Sequence, residues 1–227
     1  MPKRSRRYSQ CLEMVDRLRR YGLREAVAVL KNIPPAGFDE SVELSVQLGI
    51  DPRQSDQQVR GSISLPHGTG GSRTVAVFAE GPNAEAAEEA GADIIGADDL
   101  VAKVQEGFTA FDVALATPDM MGRIGRLGRI LGPRGLMPSP RSGTVRTDIA
   151  EAVREFKAGK IEFRNDSGGN IHTTVGKLSF DAVALAENVQ AVMDQIDRLK
   201  PPAAKGKYVK NVFVTAAMSP SVRVNVA

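Results

Sequence analysis

The residues able to do covalent or acid–base chemistry are few, and their spacing argues against catalysis. The 227-residue chain has two histidines and one cysteine. Cys11 falls at apolar helical spacing with Met14, Val15 and Leu18, which reads as a core thiol. A lone cysteine forms no internal disulfide, as expected of a protein of the reducing cytoplasm. So small a set of soft ligands predicts no metal or haem site, and no cofactor is expected. His67, in Leu65-Pro-His-Gly-Thr-Gly-Gly71, could suggest a phosphate loop. The stretch lacks the glycine spacing and the lysine of that motif, and it precedes a strand where the motif follows one. It reads as a hinge. The series Gly122, Gly125, Gly128, Gly132, Gly135 is no dinucleotide fingerprint, and Glu80 stands where a pyrophosphate would lie after the nearest strand. There is no G-x-S-x-G elbow, and the pair Asp98-Asp99 reads as solvent-exposed. No catalytic residue is assigned, and the chain is not expected to be an enzyme.

The chemistry that remains is recognition. Glu43 and Ser45, Arg60 and Ser62, Arg164, His172 and Thr174, Arg223 and Asn225 each alternate with apolar residues, so they leave the buried side of a sheet. Polar side chains on a preformed surface suit folded RNA, read through 2′-hydroxyls, phosphates and base edges. Phe38, before the first strand, either stacks on an exposed base or ribose or caps the core. Aromatic residues of the RNP type are not expected in the strand interiors, so stacking of single strands across the sheet is not expected either.

Charge follows the same division. Residues 1–67 carry 11 basic and 8 acidic side chains, residues 68–158 carry 10 and 13, and residues 159–227 carry 9 and 6. Two basic ends flank an acidic middle, so a polyanion is drawn to the ends. The run Arg123, Arg126, Arg129, Arg134, Arg141, Arg146 has no acid within it. No apolar run approaches the roughly 18 residues of a membrane span, and the basic Met1–Arg7 is unlike a secretory signal.

The elements that position these residues also change character along the chain. Helices are predicted over Arg4–Tyr21 and Leu23–Lys31, the second ended by Pro34-Pro35. Val42, Leu44, Val46, Leu48 and Ile50 alternate with polar residues as a one-faced strand, and Val59–Leu65 repeats the pattern. From Thr74 short apolar strands alternate with helices: Thr74–Ala79, Pro82–Ala90, Asp93–Ile95, Ala97–Glu106, Phe111–Thr117 and, last, helix Asp148–Ala158. That order predicts a parallel α/β unit. Gly122–Arg141 reads as loop plus a short helix. After Gly159 one-faced strands return around Ile161–Phe163 and Ile171–Val175, joined by a turn over Asn165–Gly169. A helix from Phe180 carries the stripe Leu185, Val189, Val192, Ile196, Leu199. Strands Tyr208–Thr215 and Val222–Val226 finish the chain. The fold class is therefore α/β and α+β. Residues 1–67 and 159–227 form a discontinuous α+β domain with a one-faced antiparallel sheet, expected to bind RNA. Residues 68–158 form an inserted Rossmann-like α/β three-layer domain.

Phe38-Asp-Glu-Ser-Val-Glu43, Leu48-Gly-Ile-Asp-Pro-Arg53 and Val59-Arg-Gly-Ser-Ile-Ser-Leu-Pro-His-Gly68, then Leu131-Gly-Pro-Arg-Gly-Leu-Met-Pro138, then Phe163-Arg-Asn-Asp166, His172, Val175-Gly-Lys177 and Met218 together resemble the L-one family of bacterial large-subunit ribosomal proteins. They span nearly the whole chain in the family's order. The resemblance implies a cytoplasmic, ribosomal protein that grips a folded rRNA stalk of the large subunit. It also implies a part in moving deacylated tRNA out of the exit site and repression of its own operon through an mRNA that mimics the rRNA. The protein off the ribosome is expected to be a monomer without membrane partners. Residues carried over or assigned as RNA-binding are Phe38, Ser41, Glu43, Arg60, Arg164, Asp166, His172, Asn211, Ala217, Met218 and Ser219. The family's Thr-Met-Gly stands here as Ala217-Met218-Ser219. A threonine hydroxyl is lost, and Ser219 must accept the backbone shape of a glycine. A ligand-closing two-lobed enzyme and a nonspecific basic RNA chaperone are the competing readings. The first lacks a convergent polar cluster; the second predicts no sequence preference.

Overall fold

The computed structural model describes residues 5–225. The chain divides into two compact units, one of residues 1–70 with 161–227 and one of residues 71–160.

The first unit opens with α1 (Arg6–Glu13) and α2 (Leu23–Asn32). The expected helix Arg4–Tyr21 is cut short, and its start at Arg4 lies outside the described residues. Asp16 ends it: its carboxylate accepts the Leu18 N–H at 2.9 Å, while its own N–H donates to the Tyr21 hydroxyl at 3.0 Å. Such side-chain bonds compete with helix. Cys11 and Val15 are buried as their spacing predicts, but Met14 and Leu18 are exposed.

Strands β1 (Ser41–Leu48), β7 (Asn170–Lys177), β8 (Val209–Ala216) and β9 (Val222–Val224) form one sheet in the order β7-β1-β8-β9. Its pairings are antiparallel. The last predicted residue of β9, Val226, lies outside the described residues. Val42, Leu44, Val46 and Leu48 point inward and are at most 2% exposed. They pack against α2 and the long α8 (Ala182–Arg198), whose stripe Leu185, Val189, Val192 and Ile196 belongs to the same core. Burying one such side chain is worth about 1.5–3 kcal/mol, so this face fixes the register and leaves the other to solvent.

Two strands do not join that sheet. β2 (Arg60–Ser64) and β6 (Lys160–Arg164) pair with each other as a separate ribbon. Arg60, Ser62 and Arg164 are thus not on the face that carries Glu43 and His172, and β6 and β7 are not a hairpin of one sheet. Asn165 redirects the chain: its N–H donates to the Val59 carbonyl at 3.0 Å and its side-chain oxygen accepts the Val59 N–H at 2.8 Å. The Leu65–Gly68 segment is held by Asn188 of α8, which is fully buried. Its side chain accepts the His67 N–H at 3.1 Å and donates to the Gly68 carbonyl at 3.0 Å.

The second unit is a parallel sheet β4-β3-β5 (Ile94–Gly96, Val75–Phe78, Val113–Ala116) with α3 (Pro82–Glu89), α4 (Asp98–Gln105) and α7 (Ile149–Lys157). Apolar clusters line both faces of the sheet, as a parallel sheet requires. In place of the expected loop plus a short helix, the glycine–arginine stretch and the turn before it form a chain of single turns: a 3-10 turn Pro118–Met120, α5 (Met121–Ile124), a 3-10 turn Gly125–Leu127 and α6 (Gly128–Leu131). Past the carboxyl ends of β3 and β4, Arg123 binds Glu80 and Asp98, and Asp99 accepts the Ala97 N–H at 2.8 Å. These acids are spent on ion pairing and capping.

Candidate nucleic-acid interface

A buried carboxylate organises one end of the four-stranded sheet. Glu40 is 1% exposed. Its Oε1 accepts the Ala36 N–H at 2.8 Å and its Oε2 the Met218 N–H at 2.7 Å. Arg7 lies 3.6 Å from Oε1 and also donates to the carbonyls of Pro34, at 2.9 Å, and Met218. Alongside, Asp39 accepts the N–H and hydroxyl of Ser179 at 3.1 and 2.8 Å. The Ala217 N–H donates to the Ser41 carbonyl at 3.0 Å, and the Lys177 ammonium donates to the Ser41 hydroxyl at 2.9 Å. Backbone from three distant stretches of sequence is thereby fixed in one place. On it stand Phe38 and Met218, 57% and 54% exposed. Phe38 is therefore not a cap on the core. Glu40, Arg7 and Lys177 are absent from the residues assigned from sequence. An acid at a strand's start reads as surface, because glutamate is almost never fully buried unless paired.

From this end the outer face of the sheet runs as ordered rows. Glu43 lies between Thr174 and Thr215; Ser45 lies between His172 and Phe213; Gln47 lies between Asn170 and Asn211. Phe213 is paired in turn with Arg223 of β9. Ser45 Oγ is 3.0 Å from His172 Nδ1. Asn211 donates to Gln47 at 2.6 Å and accepts from Arg223. Phe213 corrects the expectation that no aromatic occupies a strand interior on this face. It is half-buried on the polar side, in phase with Asn211 and Thr215, and it is outside the core cluster. Its alternation with Val212 and Val214 was the available signal.

The residues assigned from sequence thus separate. Phe38, Ser41, Glu43, Ala217, Met218 and Ser219 gather at the Glu40 end. His172 and Asn211 lie farther along the face; the six steps from Ser41 to Gln47 span about 20 Å of strand. Arg60, Arg164 and Asp166 border a different feature, a groove of ≈ 450 Å³ that Pro52, Gln58 and Ser167 also line. Neither arginine has an ion-pair partner among the described residues. Asp166 clasps its own loop: its Oδ1 accepts the N–H groups of Asn170 at 2.7 Å and Gly168 at 2.8 Å, and its Oδ2 the Asn170 amide at 3.1 Å. Chiefly the Asn170 N–H holds this carboxyl below the ordinary aspartate range. Its Oδ2 is 3.8 Å from His172 Nε2.

The two departures at 217 and 219 differ in consequence. Among the described residues no non-glycine has a positive φ, so Ser219 is unstrained. Its hydroxyl accepts the Ala216 N–H at 3.0 Å, closing the turn that carries Met218. Ala217 is exposed and places a methyl group at the sheet's edge.

The arrangement holds polar and aromatic groups on fixed backbone for surface recognition. Among the described residues no group of three or more metal-ligating side chains converges, and no helix is long and apolar enough to cross a membrane. Comparison with known proteins finds ribosomal relatives. The chain is 55% identical over 225 residues to large ribosomal subunit protein uL1 of Kosmotoga olearia, covering 99% of this chain and 97% of that one. It is 54% identical to the uL1 proteins of Bifidobacterium longum, over 99% of this chain and 98% of that one, and of Thermobifida fusca, over 98% and 95%. These relatives are ribosomal proteins, not enzymes. With residues 29–220 matching the family's model, the chain belongs to the ribosomal protein L1p/L10e family.

Proposed function

We propose that this protein binds large-subunit rRNA through the outer face of the β7-β1-β8-β9 sheet and its Glu40 end, and so helps build a mobile stalk at the tRNA exit site. The observation that carries the reading is the clasp of Glu40 on the Ala36 and Met218 N–H groups. It presents Phe38 and Met218 to solvent on ordered backbone, where folding alone gives no reason to expose them. Preorganised apolar contacts beside hydroxyls and amides suit an RNA whose shape is already set.

Arg60 and Arg164 lie on the separate ribbon and leave a second basic surface for another RNA partner, deacylated tRNA in transit. Repression of the protein's own operon follows if an mRNA segment copies the rRNA fold. It would then compete for the sheet face rather than occupy a site of its own. The working location is the ribosome in the cytoplasm.

The test is a titration of the stalk rRNA fragment against salt, beside a shuffled RNA of equal length. A preference for the native fragment that persists at physiological salt supports the reading. Equal binding to both that salt abolishes would leave phosphate attraction alone and favour a nonspecific chaperone. The operon leader RNA should displace the stalk fragment mole for mole.

A further inference from the structure

We infer that Phe213 is a stacking platform for an unpaired RNA base, making the middle of the sheet face a second point of contact beyond its Glu40 end. The inference rests on the RNA reading above. Phe213 is the aromatic side chain among residues that are otherwise polar: Asn211 and Thr215 precede and follow it on the same face, and Ser45 and Arg223 lie opposite it on the two neighbouring strands. It takes no part in the core cluster beneath the sheet. A partly buried phenyl ring outside that cluster is not explained by the core, and in a sheet that contacts nucleic acid its exposed part offers a face to a base.

The surroundings favour one base lying flat rather than an apolar partner. On one side Ser45 and His172 are bound to each other, so their orientation is fixed before the ligand arrives. On the other, Arg223 gives one guanidinium nitrogen to the Asn211 oxygen, and Asn211 is anchored to Gln47. That chain steers the guanidinium and leaves its other N–H groups for the acceptors of a base edge or a phosphate. Aromatic floor, polar walls and a held arginine together make a site for an unpaired base in a loop or bulge, and a fully paired helix would not supply one.

The chain contains no tryptophan, so Phe213→Trp creates a single-tryptophan reporter in the full-length protein, excited at the long-wavelength edge of indole absorption to spare its three tyrosines. With the stalk rRNA fragment, its emission should be quenched as the complex forms, with the same midpoint as the anisotropy of labelled RNA, and acrylamide should lose access to it. Phe213→Ala should weaken binding about 5- to 150-fold, the range of one base–aromatic stack of roughly 1–3 kcal/mol, while Phe213→Tyr restores it. RNA binding with unquenched, acrylamide-accessible tryptophan would overturn the inference and leave the RNA reading intact. Unchanged affinity of Phe213→Ala would do the same. If wild-type protein fails to prefer the stalk fragment over the shuffled RNA, the RNA reading itself falls, and this inference with it.

Discussion

Replacing Glu40 by glutamine tests whether one buried carboxylate assembles the interface. The substitution is nearly isosteric, so packing is preserved while charge and one acceptor are lost. In the wild type each carboxylate oxygen serves one backbone donor, Ala36 N–H at 2.8 Å and Met218 N–H at 2.7 Å. A glutamine oxygen can serve one of them; its NH₂ group then faces the other as donor against donor. The loss is one charge-assisted bond, about 1.5–3 kcal/mol, including the cost of a donor left without a partner. The Arg7 ion pair at 3.6 Å adds less, because Arg7 remains 26% exposed and can hydrate. A total near 2–3 kcal/mol corresponds to amide exchange about 30- to 150-fold faster at Ala36, Met218 or both, if exchange reports local opening. Hydrogen exchange measured by NMR on full-length protein reads those two amides directly. RNA affinity should fall by about tenfold as the Phe38 and Met218 loops lose their fixed relation. Glu40→Asp, which keeps the charge but not the reach, should fall between. Wild-type protection at both amides in Glu40→Gln, with stability lowered by less than about 1 kcal/mol, would refute the clasp.

Four further outcomes follow from the same geometry. Phe38→Ala and Met218→Ala should each weaken binding to the stalk fragment without altering circular dichroism, since both side chains are more than half exposed; unchanged affinity in both would remove them from the interface. Ala217→Thr should tighten binding about 2- to 12-fold, the worth of one net hydrogen bond of roughly 0.5–1.5 kcal/mol, and no gain in a binding titration would mean that the hydroxyl has no partner there. A chain in which a short glycine linker replaces residues 71–160 should fold and bind the fragment, because the core of the first unit is built from residues outside that range; a folded chain that does not bind would mislocate the site. The Asp166 carboxyl, held low chiefly by the Asn170 N–H, contributes loop stability that is present above the unfolded aspartate pKa and lost as pH falls through its lower folded value. The Gly168 and Asn170 amide shifts should therefore titrate with a midpoint below the ordinary value of 3.8, and a midpoint at or above it would contradict the clasp within this loop.

Legibility in the sequence followed the range of the interaction that decided each feature. The alternation of β1 named its inward residues because burial of Val42, Leu44, Val46 and Leu48 depends only on strand period. The change from one-faced strands to alternating strands and helices pointed to two kinds of sheet for the same reason. Pairing is a nonlocal matter. Alternation tells which side chains share a face of a strand and is silent on which strand lies alongside, so it does not separate Arg60 and Arg164 from the Glu43 face; the bonds of Asn165 to Val59 do. Helix α1 was overextended because apolar spacing continues to Leu18 while the bonds around Asp16 do not allow helix there. Glu40 carries no sequence signal, since its partners, Ala36 and Met218 N–H, are backbone groups that any sequence supplies.

The same separation of local from nonlocal information bears on how the interface tolerates change. Ala217 and Ser219 depart from the pattern the chain resembles, yet the backbone there is set by bonds that neither side chain identity governs alone. Met218 N–H is held by Glu40, Ala217 N–H by the Ser41 carbonyl, and Ser219 N–H by the Ala216 carbonyl at 3.0 Å. The serine hydroxyl adds a bond to Ala216 N–H that a glycine could not make. The turn is therefore as ordered with serine as its backbone bonding requires, and the difference at 217 is confined to a surface group. Affinity can drift at such positions by single hydrogen bonds while the presentation of Phe38 and Met218 stays fixed, because presentation depends on Glu40, Ser41 and Arg7 instead. Loss of a hydroxyl at 217 and loss of the carboxylate at 40 should consequently have different signatures: the first changes binding alone, the second binding and local exchange together.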